Sequence, residues 1–97
     1  MVNLRKNIKK LKDGDVFSLK ELKIGGHKYK ILFVDDLEDC GEFNNSTGTI
    51  KIKAGMPKSQ TEETLLHEII HACNPDLKEE VVGSLSMILY QVYRDNL

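Results

Sequence analysis

The chain has 97 residues, 40% hydrophobic and 30% charged, which suits one domain with a modest core. Its 14 Lys and Arg residues nearly balance 15 Asp and Glu residues, and this formal net charge of -1 argues against a general polyanion binder. Two cysteines, Cys40 and Cys73, are too few for a disulfide framework, and we expect both to be small buried residues in a reducing compartment.

Residues 1–14 are predicted to form a basic arm. Its apolar positions recur at helical spacing: Leu4, Ile8 and Leu11. We interpret the arm as a solvated amphipathic turn rather than a nucleic-acid contact. An acidic turn at Asp13-Gly14-Asp15 follows instead of an apolar signal segment, and no apolar run approaches the length of a membrane span. We therefore expect a single cytoplasmic domain over residues 1–97 with no membrane partner.

Two β-hairpins are predicted next in the chain. Alternating apolar residues at 22–24 and 29–33 flank Gly25-Gly26, and a two-glycine link suits a tight turn with positive φ. Residues 42–44 and 49–54 flank a second cluster of turn-forming residues. Lysines alternate with apolar residues at 49–53, which favours an exposed edge strand.

Two helices are predicted in the second half. Ser59 and Glu62 have the spacing of a capping box, and the helix predicted over residues 60–73 ends at Asn74-Pro75 because proline cannot continue it. A second helix is expected to begin near Leu77. Its apolar positions form one stripe at a spacing of about 3.6 residues: Val81, Val82, Leu85, Ile88, Leu89 and Val92. The fold class is therefore α+β, with a small antiparallel sheet packed against two helices.

The first helix contains the pattern His67-Glu68-Ile69-Ile70-His71. Histidines four residues apart project from the same helical face, so both imidazoles can bind one metal ion. The glutamate between them has the position that metal-assisted hydrolysis requires of a general base. A hydrogen-bonded histidine pair on an ordinary helix is the structural alternative.

The third metal ligand is expected at the start of the second helix. Glu79 and Glu80 lie eight and nine residues after His71, and a helical wheel slightly favours Glu79. Acidic residues in a first helical turn are also favoured by the helix dipole without any metal. Cys73 ranks lower because it points about 200° around the helix from His71. His27, beside the glycine turn, is interpreted as a turn or surface histidine.

A site with two imidazoles and one carboxylate would leave an open position on zinc for water, with Glu68 as its general base. The predicted edge strand at residues 49–53 could then hold an extended peptide by strand addition. No residue is assigned as the oxyanion stabiliser. Four residues could be proposed for that role: His27, Tyr29, Tyr90 and Tyr93.

The chain resembles the small phage- and prophage-encoded zincin metallopeptidases, which are related in pattern to the ImmA/IrrE-like and SprT-like groups. The resemblance covers about residues 22–96. It rests on the segments Thr64-Leu65-Leu66-His67-Glu68-Ile69-Ile70-His71-Ala72, Glu79-Glu80-Val81-Val82 and Arg94-Asp95-Asn96. It implies a minimal zincin-like domain that binds Zn²⁺ and acts on a peptide or protein substrate.

By this resemblance, His67 and His71 would be zinc ligands, Glu68 the catalytic residue, and Glu79 the third ligand in the manner of gluzincins. Gluzincins often carry an acidic residue four positions after the ligand glutamate, where it orients a ligand histidine, whereas this sequence has Gly83 there.

A zinc-dependent metallopeptidase is therefore the leading interpretation. The alternative from a different class is a zinc-bound regulatory or interaction module that retains the scaffold with little or no catalysis. A DNA-associated regulator that uses the basic arm is a third interpretation.

Overall fold

The computed structural model describes residues 21–97, so the predicted basic arm at residues 1–14 lies outside the described residues. Six elements follow in chain order: β1 (Glu21–Ile24), β2 (His27–Val34), β3 (Gly41–Asn44), β4 (Thr49–Lys53), α1 (Lys58–Cys73) and α2 (Glu79–Asn96). The predicted α+β class is confirmed, with one four-stranded sheet and two helices.

Both predicted hairpins are present. The strands β1 and β2 pair antiparallel across Gly25 and Gly26, whose φ angles of 56° and 84° suit residues without a Cβ atom. The strands β3 and β4 also pair antiparallel, and Gly48 in their connection has a φ of 64°. The turn-forming residues of the sequence therefore locate both chain reversals.

The sheet is not purely antiparallel, although the sequence predicted that it would be. The sheet runs β1-β2-β4-β3, and β2 pairs with β4 in parallel, with Ile31 opposite Ile50 and Phe33 opposite Ile52. The sheet is therefore mixed, and β4 is an interior strand, so the predicted edge strand at residues 49–53 is wrong. Alternating lysines indicate that one face of a strand is exposed to solvent, but they do not indicate how many strands pair with it.

The core lies between the sheet and α1. Leu65 of α1 is fully buried, and it belongs to one cluster with apolar side chains of three strands: Leu22, Tyr29, Ile31, Ile50 and Ile52. The helix contacts β1, β3 and β4. Burial of these side chains orients α1 across the sheet and fixes which of its faces remains accessible.

The start of α1 differs from the predicted capping box. The helix begins at Lys58 after Pro57, and no side chain caps it, so Ser59 lies inside the first turn. Pro57 accepts hydrogen bonds at its carbonyl from the backbone N–H and the hydroxyl of Thr61, at 2.9 and 3.0 Å. Pro57 occupies the cap position with a φ of -54°, a value that the proline ring favours. The helix ends at Cys73, as predicted.

The second helix, α2, begins at Glu79, two residues later than predicted, and among the described elements it contacts only α1. Its buried residues are Val82, Ser86 and Tyr90. The other members of the predicted apolar stripe are 40–56% exposed. We call these five residues the α2 stripe: Val81, Leu85, Ile88, Leu89 and Val92. Helical periodicity identifies an apolar side of a helix, but here a neighbouring side is the one that packs on α1.

The expectation of two buried cysteines is wrong, because Cys40 and Cys73 are both exposed and free. Cys40 precedes β3 and Cys73 is the last residue of α1, so neither position faces the core. Within residues 21–97, neither helix has the length and apolar character needed to cross a membrane.

Candidate metal centre

His67 and His71 lie one turn apart on α1, and both are only partly buried. Their Nε2 atoms are 3.2 Å apart, and the two rings meet edge to face with centroids 4.9 Å apart. This proximity follows directly from the four-residue spacing on a helix. The two histidines therefore present a pair of nitrogen donors to the same point.

Glu79, the first residue of α2, faces both histidines. Its Oε1 atom lies 2.7 Å from Nε2 of His67, and its Oε2 atom lies 2.9 Å from Nε2 of His71. The connection between the helices is short and hydrogen-bonded, with the backbone N–H of Leu77 donating to the carbonyl of Asn74 at 3.1 Å. This turn brings the carboxylate back to the two imidazoles.

The three residues can hold a metal ion, since each offers one donor atom and these atoms all lie within 4.8 Å of one another. Two imidazole nitrogens and one carboxylate oxygen are a donor set found in catalytic zinc sites. Tetrahedral zinc with bonds near 2.0 Å requires ligand atoms about 3.3 Å apart. The closest donor pairs are 2.7, 2.9 and 3.2 Å apart, so outward shifts of a few tenths of an ångström would fit an ion.

The charge of Glu79 is favoured where it lies. Desolvation raises its pKa, but the hydrogen bond from His67 and the charges of His67 and His71 outweigh that effect, so the pKa is lowered overall. Glu79 remains exposed, and its carboxylate is accessible from solvent. A carboxylate that stays ionised is ready to bind a cation.

Glu68 occupies a different environment, although it lies between the two histidines in sequence. Only 5% of its surface is exposed, and it points toward β3. A Cβ atom on Gly41 would lie 2.8 Å from Oε2 of Glu68 and 2.7 Å from Cγ2 of Thr64. The absence of a side chain at Gly41 therefore provides the space that the Glu68 carboxylate occupies.

Burial raises the pKa of Glu68 from 4.5 to about 7, with smaller contributions in the same direction from the nearby carboxylates of Glu79, Glu42 and Asp39. A pKa near neutrality lets a carboxyl group both accept and release a proton under ordinary conditions. This property suits a general base.

Ser86 of α2 contacts the other side of the His67 ring. Its hydroxyl donates to the carbonyl of Gly83 at 3.1 Å, and its Oγ atom lies 3.4 Å from Nδ1 of His67. With the hydroxyl hydrogen committed to Gly83, the oxygen is free to accept the Nδ1 hydrogen of His67. That arrangement favours the tautomer whose Nε2 lone pair faces the metal position.

A cleft of about 690 Å³ opens in front of these residues, between β3 and α2. Its β3 wall includes Gly41, Glu42 and Phe43, and its α2 wall includes Gly83 and Met87. This volume is within the range of sites that bind small molecules or short peptides. The strand at the cleft is therefore β3, an edge strand of the sheet, and not β4 as the sequence indicated.

The remaining candidates lie elsewhere. Glu80 is exposed and lies outside the group of three donors, and Cys73 and His27 do not line the cleft. Tyr29 is buried in the sheet core, and Tyr90 donates a hydrogen bond to Glu62 at 3.2 Å. Among the described residues, none of the four proposed oxyanion stabilisers, His27, Tyr29, Tyr90 and Tyr93, lines the cleft.

Sequence reasoning missed two residues of the site. Gly41 gave no signal, because its role depends on the approach of β3 to α1, which is a tertiary relationship. Ser86 had a weak signal, since it lies seven residues after Glu79 and so on the same side of a helix. Gly83 itself lines the cleft, and a Cβ atom there would meet nothing within 4 Å.

Comparison of the chain with protein-family models, curated proteins and solved structures finds no match.

Proposed function

We propose that this protein is a zinc-dependent metallopeptidase. One observation carries the proposal: His67, His71 and Glu79 converge on one point, at a cleft beside the buried carboxyl group of Glu68. The donor set, the open approach and a carboxyl group with a pKa near neutrality are the parts that metal-assisted hydrolysis needs. The resemblance to phage-encoded zincins supports the same conclusion.

A bound zinc ion would supply Lewis acidity toward a substrate carbonyl and lower the pKa of a coordinated water. His67 and His71 would provide neutral imidazole donors, and Ser86 would keep His67 in the required tautomer. The Glu68 carboxylate would accept a proton from the attacking water and donate it to the leaving amine. Its burial excludes competing solvent from that proton.

The position of β3 supports an extended peptide as substrate. Gly41, Glu42 and Phe43 of this edge strand line the cleft, and β3 pairs with β4 on one side alone among the described strands. A peptide backbone can pair with such an edge as an additional strand. The substrate would then lie across the cleft with its backbone close to the donor residues.

A second function is favoured by one feature of the cleft. Among the described residues, no Lys, Arg or Tyr side chain lines it, so no side chain of these types would share the charge that develops on a substrate oxygen. The same donor set could therefore serve a zinc-bound regulatory or interaction module with little or no catalysis.

Two measurements test the proposal in order. Protein purified without added metal is expected to contain about one zinc ion per chain by elemental analysis, and His71→Ala is expected to contain none. Wild type that takes up no zinc, even when zinc is supplied, would overturn both functions.

Zinc-loaded protein would then be incubated with a mixed peptide library in ¹⁸O-labelled water. Hydrolysis places the label in new carboxyl termini, which mass spectrometry detects. Glu68→Gln is expected to retain zinc and lose this labelling, whereas Glu80→Gln, a matched control outside the donor group, is expected to retain both. A zinc-loaded wild type that labels nothing would contradict the peptidase and favour the module.

A further inference from the structure

The α2 stripe is an apolar surface that the described elements leave uncovered. Its five residues are spaced by four, three, one and three positions and occupy an arc of about 100° on a helical wheel. This arc is centred about 120° from the side that carries Val82, Ser86 and Tyr90. Gly83 and Met87, which line the cleft, lie on the opposite flank of that packed side. The stripe therefore faces away from the candidate metal centre.

A surface of this kind is a candidate for contact with another segment or molecule. Its side chains are 40–56% exposed, although they are large and aliphatic. Contiguous apolar patches on a soluble protein usually mark a surface that another segment or molecule covers. The α2 helix depends on α1 alone for its packing among the described elements, so a contact on the stripe would add substantially to its anchorage.

The chain itself contains a segment with the matching pattern. Leu4, Ile8 and Leu11 are spaced by four and three positions, as in the α2 stripe, and would occupy an arc of about 60° on a helix. Cationic residues occupy other positions of the same segment: Arg5, Lys6, Lys9, Lys10 and Lys12. The segment is therefore amphipathic, and its apolar side is narrow enough to lie along one stripe.

Charge also favours this pairing. Residues 1–20 contain six Lys and Arg against two Asp, whereas residues 21–97 contain eight Lys and Arg against thirteen Asp and Glu. The described part of the chain is thus net negative, and the segment that precedes it is net positive. Their attraction would hold the segment on the described part of the chain at moderate ionic strength.

The connection between the two is long enough. As a helix, Leu4 to Leu11 would measure about 11 Å, against about 17 Å for the stripe from Val81 to Val92. The nine residues 12–20 can extend about 30 Å before β1. The described part of the chain has principal dimensions of 34, 31 and 27 Å, so the extended tether is comparable in length to the whole domain.

We propose that residues 4–12 bind across the α2 stripe, with Leu4, Ile8 and Leu11 packed against it. The basic side chains would lie at the rim and in solvent. In this arrangement the segment acts as a clamp that holds α2, and with it Glu79, against α1. The basic arm then serves the fold and not a nucleic acid.

A double-mutant cycle in the full-length chain tests the contact. Ile8→Ser and Leu85→Ser each remove an apolar side chain from one partner, and residues in contact have non-additive effects on stability. We expect the melting temperature of the double variant to fall by at least about 3 °C less than the sum of the single changes. Met87→Ser is the matched control, because Met87 is 62% exposed on the cleft side of the same helix.

Coupling of Ile8 with Leu85, together with additivity of Ile8 with Met87, would support the proposal. Additive effects in both cycles would overturn it. Hydrogen exchange provides an independent measure, because Ile8→Ser is expected to speed exchange in residues 81–92 several-fold with little effect in β4. Equal exchange of residues 81–92 in wild type and variant would also overturn the contact. Coupling that appears only at concentrations where the protein sediments as a dimer would assign the stripe to a second copy instead.

Discussion

The backbone of Gly41 lies so close to Glu68 that a methyl group on Gly41 would come within 2.8 Å of the carboxylate oxygen Oε2. Because Gly41 is on β3 and Glu68 is on α1, this contact sets how closely the edge strand approaches α1. The space at Gly41 therefore determines where the proposed general base lies.

Gly41→Ala is expected to displace Glu68 and to reduce any hydrolytic activity, since the added methyl group would also meet Thr64 at 2.7 Å. Overpacking of this kind costs about 1–3 kcal/mol of stability. Gly83→Ala is the matched control, because its methyl group would enter open space in a helix and is expected to stabilise the protein by up to about 1 kcal/mol. Urea denaturation measures both, and equal stabilities would contradict the close approach.

Glu79→Gln is expected to weaken zinc binding more than about 100-fold. Even residues that only hydrogen-bond to a metal ligand change the metal affinity about 10–100-fold when they are replaced. Glu80→Gln is expected to leave the affinity within about twofold, since Glu80 lies outside the donor group. Competition with a chromogenic chelator measures both affinities. If Glu80→Gln has the larger effect, the third ligand has been assigned to the wrong glutamate.

The raised pKa of Glu68 predicts a pH-dependent stability in the metal-free protein. With a pKa of about 7 in the folded state against 4.5 in the unfolded state, the carboxyl group is more easily ionised after unfolding. Its contribution to folding is therefore favourable below about pH 4.5 and is lost as the pH rises to about 7.

Glu68→Gln is expected to abolish the decrease in stability at high pH, because the amide side chain stays neutral. In the presence of EDTA, the variant is expected to gain about 2 kcal/mol of stability relative to wild type between pH 5 and pH 8. Glu80→Gln serves as the control, with no comparable gain. A stability difference between Glu68→Gln and wild type that is the same at both pH values would show that Glu68 titrates normally.

Ser86→Ala is expected to lower zinc affinity by about tenfold, because His67 would lose the group that accepts its Nδ1 hydrogen. Ser84→Ala changes an exposed serine on the same helix and is the matched control. Calorimetric zinc titration measures both variants. Nitrogen-15 NMR of the imidazole would also detect a change of His67 tautomer, whereas equal affinity and tautomer in wild type and Ser86→Ala would exclude the positioning role.

The sequence predicts those parts of the site that depend on local spacing. The proximity of His67 to His71 needs only a helix, and the proximity of Glu79 needs only a short turn between two helices. Both follow from residues that are close in sequence, and the hairpins follow from their glycines for the same reason.

The relationships that sequence did not predict join residues far apart in the chain. The parallel pairing of β2 with β4 makes β3 the edge strand. The alternation of residues within β4 does not indicate that β2 lies beside it. The packed side of α2 likewise depends on how α1 meets it, so the predicted apolar stripe identified Val82 but neither Ser86 nor Tyr90 as buried. These are properties of packing between elements and not of their composition.

The three donor residues lie within the thirteen residues from His67 to Glu79, and α2 touches no described element except α1. An ion held there would join two helices across one tight reversal, and the sheet would contribute nothing to its coordination. A metal ion that binds only when α2 is packed on α1 would stabilise that packing, and it would leave the stability of the strands almost unchanged. The chain would then contain two parts that unfold separately. The sheet would stay folded without the ion, whereas the unfolding of α2 would depend on the metal concentration.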